Sequence, residues 1–536
     1  MSVKYYVLFG FVLLALSFYF DYHKIISLKP CSTHTWRQAD GASIASNYYR
    51  DDLKFFKPRI HNRQTGSEGY TAGEFTGTYW LAGLCYKIFG GVNDAFLRGI
   101  HLLIFFGGLF GLLKMSCYFL EDIWLSFCVA LLFFAAPVLT FYANNFLPDA
   151  PAFGFLLMGW AAFFDYAKTR KSNRFWWAFV LFALAGLMKI TMLMSVTALG
   201  LLFVLEWSGW VRFDVSSQRE VFPPAYPKMS PGQAFEGEDV DVRKLFPKPI
   251  QTALGFALVL VLVGSWYVYL RWYKAHHGNV YFFAQLKAIW SGEDMNLLVY
   301  TLYRTVFFWS KYYFLPLVHL LVLPLIFVVF LGRRSPGNLL YALSFFTFAG
   351  TLSIYLMWFY QFIDHDYYVI SLYIFPVFLL LSGLVILKKY FIHIYNSLFF
   401  KIIIIIFLCI NIFYAKQTMN DRYGGYMDYR LNEQLAEPEF HIYLNELGIT
   451  RDTWVISVPG NAPNATLYLL DRPGFTEWID RTGSRPNVEV IRDWQARGAR
   501  YLIVNKRDYL EKPMMQPFLD KEIGRYKEVT IFDMSK

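Results

Sequence analysis

Long apolar runs alternate with polar connections along the whole chain. The first run, YYVLFGFVLLALSFYF at residues 5–20, follows Lys4 and passes into Asp21 and Tyr22 with no small-residue cleavage site. It predicts an uncleaved helix able to enter hydrocarbon. Ten more apolar segments occupy residues 95–119, 123–142, 151–167, 175–189, 191–207, 250–273, 312–331, 338–359, 367–387 and 398–414. The pattern predicts about eleven spans, several of them short against the ~20 residues a crossing needs. Composition agrees, since 56% of the 536 residues are apolar and 17% charged, where a soluble domain carries about one quarter charged. This excludes a disordered chain and argues strongly against a purely soluble one.

The basic loops at 168–174, 332–334 and 387–390 fall on one side if the spans alternate, and the positive-inside rule makes that side cytoplasmic. An odd number of spans then places the N-terminus inside. The first loop (21–94), the segment 274–304 and the tail lie outside. Residues 208–249 form the one long cytoplasmic loop, a Pro-rich linker from Val211 onward without a motif. In the tail, the pattern gives a strand at 454–458, a helix at 488–496 and a strand at 500–505, hence a small α/β domain. The expected fold is a polytopic all-α membrane domain (1–414) followed by an outer-face α/β domain (415–536).

The formal charge is +10, yet residues 416–536 hold seventeen Lys and Arg against eighteen Asp and Glu. The excess lies in the membrane part, which suits anchoring and phosphate recognition and argues against a nucleic-acid partner. No internal repeat supports an inverted-repeat transporter. The five cysteines form no C-x-x-C pair and no zinc framework, and a Cys31–Cys85 disulfide stays open.

Charges at span ends draw attention because burying one in a bilayer costs on the order of 2.5–3.5 kcal/mol. Arg98 opens the second span, Lys189 ends the fifth, and Asp149 sits in the NNFLPDAP turn. Singly, each reads as a snorkelling or interfacial group; together, such cations form an anion site. The first outer loop holds the densest polar set. Its segments 39–49 and 79–89 read as amphipathic helices lying on the membrane surface, bringing Asp40 and Glu74 to the boundary. Asp40 alone could equally be a helix cap. Arg37, one turn ahead of it, fits a donor contact and a surface ion pair equally well. Asp364, His365 and Asp366 invite a metal reading and also fit an aromatic belt with Tyr367. Asn464-Ala-Thr has the form of a glycosylation acceptor.

WRQADGASIASNYY, then GEF, YWLAGLCYKIFG and Arg98, followed in order by PDAP, MKIT, HDYYVISLYIFP and LYLLDRPGF, resemble the GT-C glycosyltransferase superfamily. They look most like bacterial relatives of protein O-mannosyltransferases and lipid A aminoarabinose transferases. The resemblance implies a polyprenyl-phosphate sugar donor, a lipid, glycan or protein acceptor, and an active site on the outer side of a bacterial inner membrane. The family's catalytic Asp maps onto Asp40 as general base and its second loop carboxylate onto Glu74. Arg98, Lys189 and His365 would hold the donor phosphate, with Arg37, Asp149 and Tyr367 at the substrates. No cofactor is required, although a divalent metal is compatible. Many relatives carry Asp-Glu where this chain has Asp40-Gly41. A ligase for lipid-linked glycans and a lipid-linked sugar flippase are the rival classes.

Overall fold

The computed structural model of the chain describes residues 2–64, 67–213, 244–278, 286–292, 294–331, 338–425, 431–460, 462–477 and 487–535. Most of the expected cytoplasmic linker and the basic triplet at 332–334 lie outside these. Each of the eleven apolar segments coincides with helix, as backbone in hydrocarbon must satisfy its own polar groups.

Among the described residues, seven helices are long and apolar enough to cross a membrane: Asp94–Leu120, Asp149–Thr169, Ile190–Trp207, Pro249–His276, Leu339–Met357, Asp366–Tyr390 and Leu398–Gly424. Two further pairs, Ile123–Phe134 with Pro137–Ala143 and Met295–Tyr313 with Pro316–Leu331, are bent by 73° and 106°. Pro137 and Pro316 stand at the bends, where a missing N–H and a fixed φ interrupt a helix. Counting each pair as one broken span gives nine among the described residues. The other two expected spans, Val3–Tyr19 and Ser172–Met188, have 17 residues each, the lower end of what a crossing takes. The chain is a multi-pass membrane protein.

The helices Asp94–Leu120 and Asp149–Thr169 cross at glycines, where a Cβ on Gly108 would lie 2.4 Å from the Gly154 Cα. Such small contacts let backbones approach in lipid, and here they clamp together the two helices that open near Arg98 and Asp149.

The first loop supplies the helices Thr35–Arg50 and Gly77–Phe89. The first of them is not one-sided, as an amphipathic helix on a surface would be. Twelve of its sixteen residues are buried, with Ala39 packed on Ala462 and Ala465 of the tail. Its Ala, Gly and Ser side chains allow close approach from several sides, which an amphipathic reading could not reveal.

The tail folds around a five-stranded sheet of order β2-β1-β3-β5-β4, comprising β1 Val455–Val458, β2 Gly474–Thr476, β3 Tyr501–Val504, β4 Glu522–Tyr526 and β5 Val529–Asp533. β1 runs parallel to β2 and β3, while β5 runs antiparallel to β3 and β4. The two expected strands are β1 and β3, with the expected helix at Val488–Ala496. The expected junction at residue 414 falls inside the helix Leu398–Gly424.

The β2 edge is covered by the first loop. The Gly474 N–H donates to the His61 carbonyl at 3.0 Å and the Arg63 N–H to the Gly474 carbonyl at 2.8 Å. Loop and tail also share one core, in which Ile44, Tyr48 and Tyr79 pack with Leu435, Val455 and Leu467. All five cysteines are free, so the Cys31–Cys85 disulfide is not formed.

Candidate active site

Asp40 lies in the second turn of the helix Thr35–Arg50 and is completely buried. Its Oδ1 accepts a 2.7 Å hydrogen bond from the Asn464 side-chain amide of the tail. Its Oδ2 stands 3.7 Å from Arg37 Nη1. The other Arg37 amino group, Nη2, donates to both carboxylate oxygens of Glu74. Burial opposes the charge on Arg37, but Glu74, Tyr79 and Asp40 outweigh it and hold the guanidinium above its ordinary pKa. Arg37 is therefore a fixed cation between two carboxylates, which replaces the surface ion pair considered from sequence.

Lys189 caps the C-terminal end of Ser172–Met188, and its Nζ pairs with Asp149 Oδ1 at 2.9 Å. Asp149 begins its helix, where the macrodipole favours an anion. The ammonium also lies over the rings of Tyr368 and Tyr367, 4.6 and 5.1 Å from their centroids, a favourable cation–π arrangement.

Main-chain pairing brings the two groups together. The Phe75 N–H donates to the Leu187 carbonyl at 3.3 Å, which ties the Glu74 segment to the end of the Lys189 helix. The Glu74 charge accordingly acts on Asp149, Lys189, Tyr367 and Tyr368. It acts also on Lys274 near the end of Pro249–His276, a cation that sequence reasoning did not single out. Next to Lys189 a groove of about 360 Å³ opens between Ile190–Trp207 and Leu339–Met357, lined by Ile190, Leu193, Leu201, Phe346 and Trp358. Thr191 also lines it, and its buried hydroxyl has no hydrogen-bond partner. A larger cavity of about 660 Å³, near Arg492 and Arg500, is confined to the tail.

ArnT from Cupriavidus metallidurans, in the apo state, has a similar structure, with a TM-score of 0.60 and 11% identity over 99% of this chain and 98% of that one. ArnT is an aminoarabinose transferase of the GT-C type. This chain has the GT-C fold. The same ArnT bound to undecaprenyl phosphate matches with a TM-score of 0.58 and 11% identity over 100% of this chain and 99% of that one. The Archaeoglobus fulgidus oligosaccharyltransferase, also of GT-C type, matches at 0.50 and 11% over 89% of this chain and 66% of that one. No protein-family model matches the sequence, and neither does any curated protein sequence.

Within this GT-C fold, Gly41 sits in a tight space. A Cβ there would lie 3.0 Å from the Tyr79 ring and 3.1 Å from the Phe146 carbonyl. A side chain beside Asp40 requires these neighbours to shift by a few tenths of an ångström.

Arg98 is placed differently from the sequence expectation. Its guanidinium donates to the carbonyls of Asn144 and Leu28 at 2.8 and 3.2 Å and lies on the Phe146 ring. Fully buried, it shares no ion pair or hydrogen bond with Arg37, Glu74, Asp149 or Lys189. Its two amino groups hold main chain, while its buried Nε has no hydrogen-bond partner among the described residues.

His365 stacks on His34 and meets Trp36 and Tyr367 edge to face. Burial, with help from His34 and Lys189, pushes its pKa down to about 3, so it offers a hydrogen bond and no charge. Asp366 faces elsewhere: it accepts from Tyr142 and Arg422 and pairs with His34 at 3.0 Å. Among the described residues no three His, Cys, Asp or Glu side chains gather as a metal-ligand set. Asn464 is fully buried with both side-chain atoms bonded, which rules out the glycosylation reading.

Proposed function

We propose that this chain transfers a sugar from a polyprenyl-phosphate donor to an acceptor hydroxyl at the outer face of a bacterial inner membrane, with inversion and with Asp40 as general base. One observation carries the proposal: a fully buried carboxylate, Asp40, shares a site with the fixed cations Arg37 and Lys189, beside an apolar groove.

Phosphate leaves as a stable anion, so the reaction asks for a base at the acceptor and charge neutralisation at the leaving group, with little acid assistance. Asp40 takes the acceptor proton. Arg37, locked to Glu74, orients the reacting sugar and acceptor. Lys189 neutralises the departing phosphate, supported by Lys274, while His365 and Thr191 offer uncharged hydrogen bonds. The groove beside Lys189 takes the isoprenoid chain. Asp149 keeps Lys189 charged and aimed, and Tyr367 walls the sugar pocket. Direct in-line displacement inverts the anomeric centre. The likeness to ArnT, a structure of which contains undecaprenyl phosphate, supports this donor class.

Transfer of a whole glycan from a lipid carrier is a second reading, favoured by the likeness to the archaeal oligosaccharyltransferase. Product mass separates the two.

The decisive experiment replaces Asp40 by Asn and follows release of polyprenyl phosphate from labelled undecaprenyl-phosphate sugars. Loss of turnover with intact binding of undecaprenyl phosphate supports the assignment; unchanged turnover removes Asp40 from the mechanism.

A further inference from the structure

We infer that Asn464, a residue of the C-terminal domain, is a positioning residue of the transfer site. It holds Asp40 in the orientation and charge state that a base requires, an inference that rests on the role of Asp40 proposed above.

The geometry leaves one assignment for the amide. Asn464 Oδ1 accepts the Asn62 main-chain N–H at 3.0 Å. A main-chain N–H can only donate, so the amide oxygen must face Asn62 and the NH₂ group must face Asp40. The 2.7 Å contact to Asp40 Oδ1 is then a donated hydrogen bond. Burial penalises a charged carboxylate, and a donor on that carboxylate counters the penalty. The bond occupies one lone pair of Oδ1 and leaves Oδ2 on the Arg37 side.

Asn464 is held firmly enough for the task. It precedes the short helix Ala465–Leu470, and its carbonyl accepts the Tyr468 N–H at 2.7 Å. Ala462 and Ala465, on either side, pack on Ala39 next to Asp40. The Asn62 side chain donates to the Pro463 carbonyl at 3.0 Å, fixing the same turn from the loop side. Asp at this position would keep an oxygen for Asn62 but present no donor at neutral pH. Ala would present neither.

The test uses the full chain in detergent, with the undecaprenyl-phosphate sugar that the wild-type protein turns over. Asn464→Asp keeps the Asn62 contact and sets carboxylate against carboxylate; Asn464→Ala removes the donor without adding charge. In both, kcat is expected to fall roughly 10- to 100-fold, within or below the ~10²–10⁴ that a general base supplies. The acid limb of the kcat–pH profile moves to higher pH, and undecaprenyl phosphate binds as in wild type. Combining Asn464→Asp with Asp40→Asn reverses donor and acceptor across the same contact, so the melting temperature recovers while turnover does not.

Wild-type kcat and an unmoved acid limb in the Asn464 variants overturn the inference, as does loss of lipid binding and cooperative melting in parallel with kcat. If Asp40→Asn is inactive while Asn464→Asp and Asn464→Ala behave as wild type, this inference alone fails. An active Asp40→Asn protein fails the base assignment itself.

Discussion

Lys189 and Asp149 form an ion pair of 2.9 Å, with side chains only 13% and 3% exposed. Removing one partner leaves an enclosed charge uncompensated, at a cost of about 3–5 kcal/mol. Lys189→Met is expected to lower the melting temperature and abolish binding of undecaprenyl phosphate. Adding Asp149→Leu makes the site apolar and restores the melting temperature, but not the lipid binding. Thermal unfolding and a lipid titration on the single and double variants check both halves.

Arg37 grips Glu74 with one amino group while the other stands near Asp40. A lysine keeps the charge and loses this forked geometry. Arg37→Lys and Glu74→Gln should each lower kcat by up to roughly 100-fold, the penalty for misplacing reacting groups by about an ångström. KM for the lipid donor should change far less, as steady-state kinetics would record.

Gly41→Glu recreates the Asp-Glu sequence that many GT-C relatives carry. Here the added side chain meets the Tyr79 ring and the Phe146 carbonyl, and overpacking of this kind costs about 1–3 kcal/mol. The variant is expected to melt at lower temperature and to lose activity. Differential scanning fluorimetry alongside the turnover assay would show it.

The seam between loop and tail contains two imidazoles kept neutral. His61 lies well below its usual pKa through burial and the nearby Arg50, Arg63 and Arg59. His441 is pushed down to about 4 by burial, with Arg472, Arg451 and Lys29 assisting. Well above pH ~6.5 neither histidine is protonated in the folded or unfolded chain, and their contribution to stability is complete. Below that value the unfolded chain alone takes up protons, so stability falls with pH, for His441 until about pH 4. Melting temperatures between pH 7.5 and 5 should decline, and His61→Gln with His441→Gln should flatten the slope.

Sequence pattern located the helices because hydrocarbon tolerates few charges, and for the same reason Lys189 and Asp149 stood out at span ends. Asp40, Arg37 and Glu74 were visible as charges in a dense polar loop. For Arg98 a sequence displays the charge but not the carbonyls of Leu28 and Asn144 that engage its two amino groups. The small residues of Thr35–Arg50 concealed how many neighbours close around that helix. Asn464 was unreadable in its role, since its partner Asp40 lies 424 positions away and Asn-Ala-Thr suggested different chemistry. β2, three residues long, is too short to display a period.

Asn62 pairs with a turn 402 residues further along the chain, and this has a consequence for biosynthesis. By the time the ribosome delivers the tail, every apolar helix has already been made. The carboxylate at Asp40 waits without its amide partner until the end of translation. Long-separated contacts form late, so if Asp40 acts as proposed, a newly inserted chain reaches its full turnover only after the sheet docks and brings Asn464 to the carboxylate.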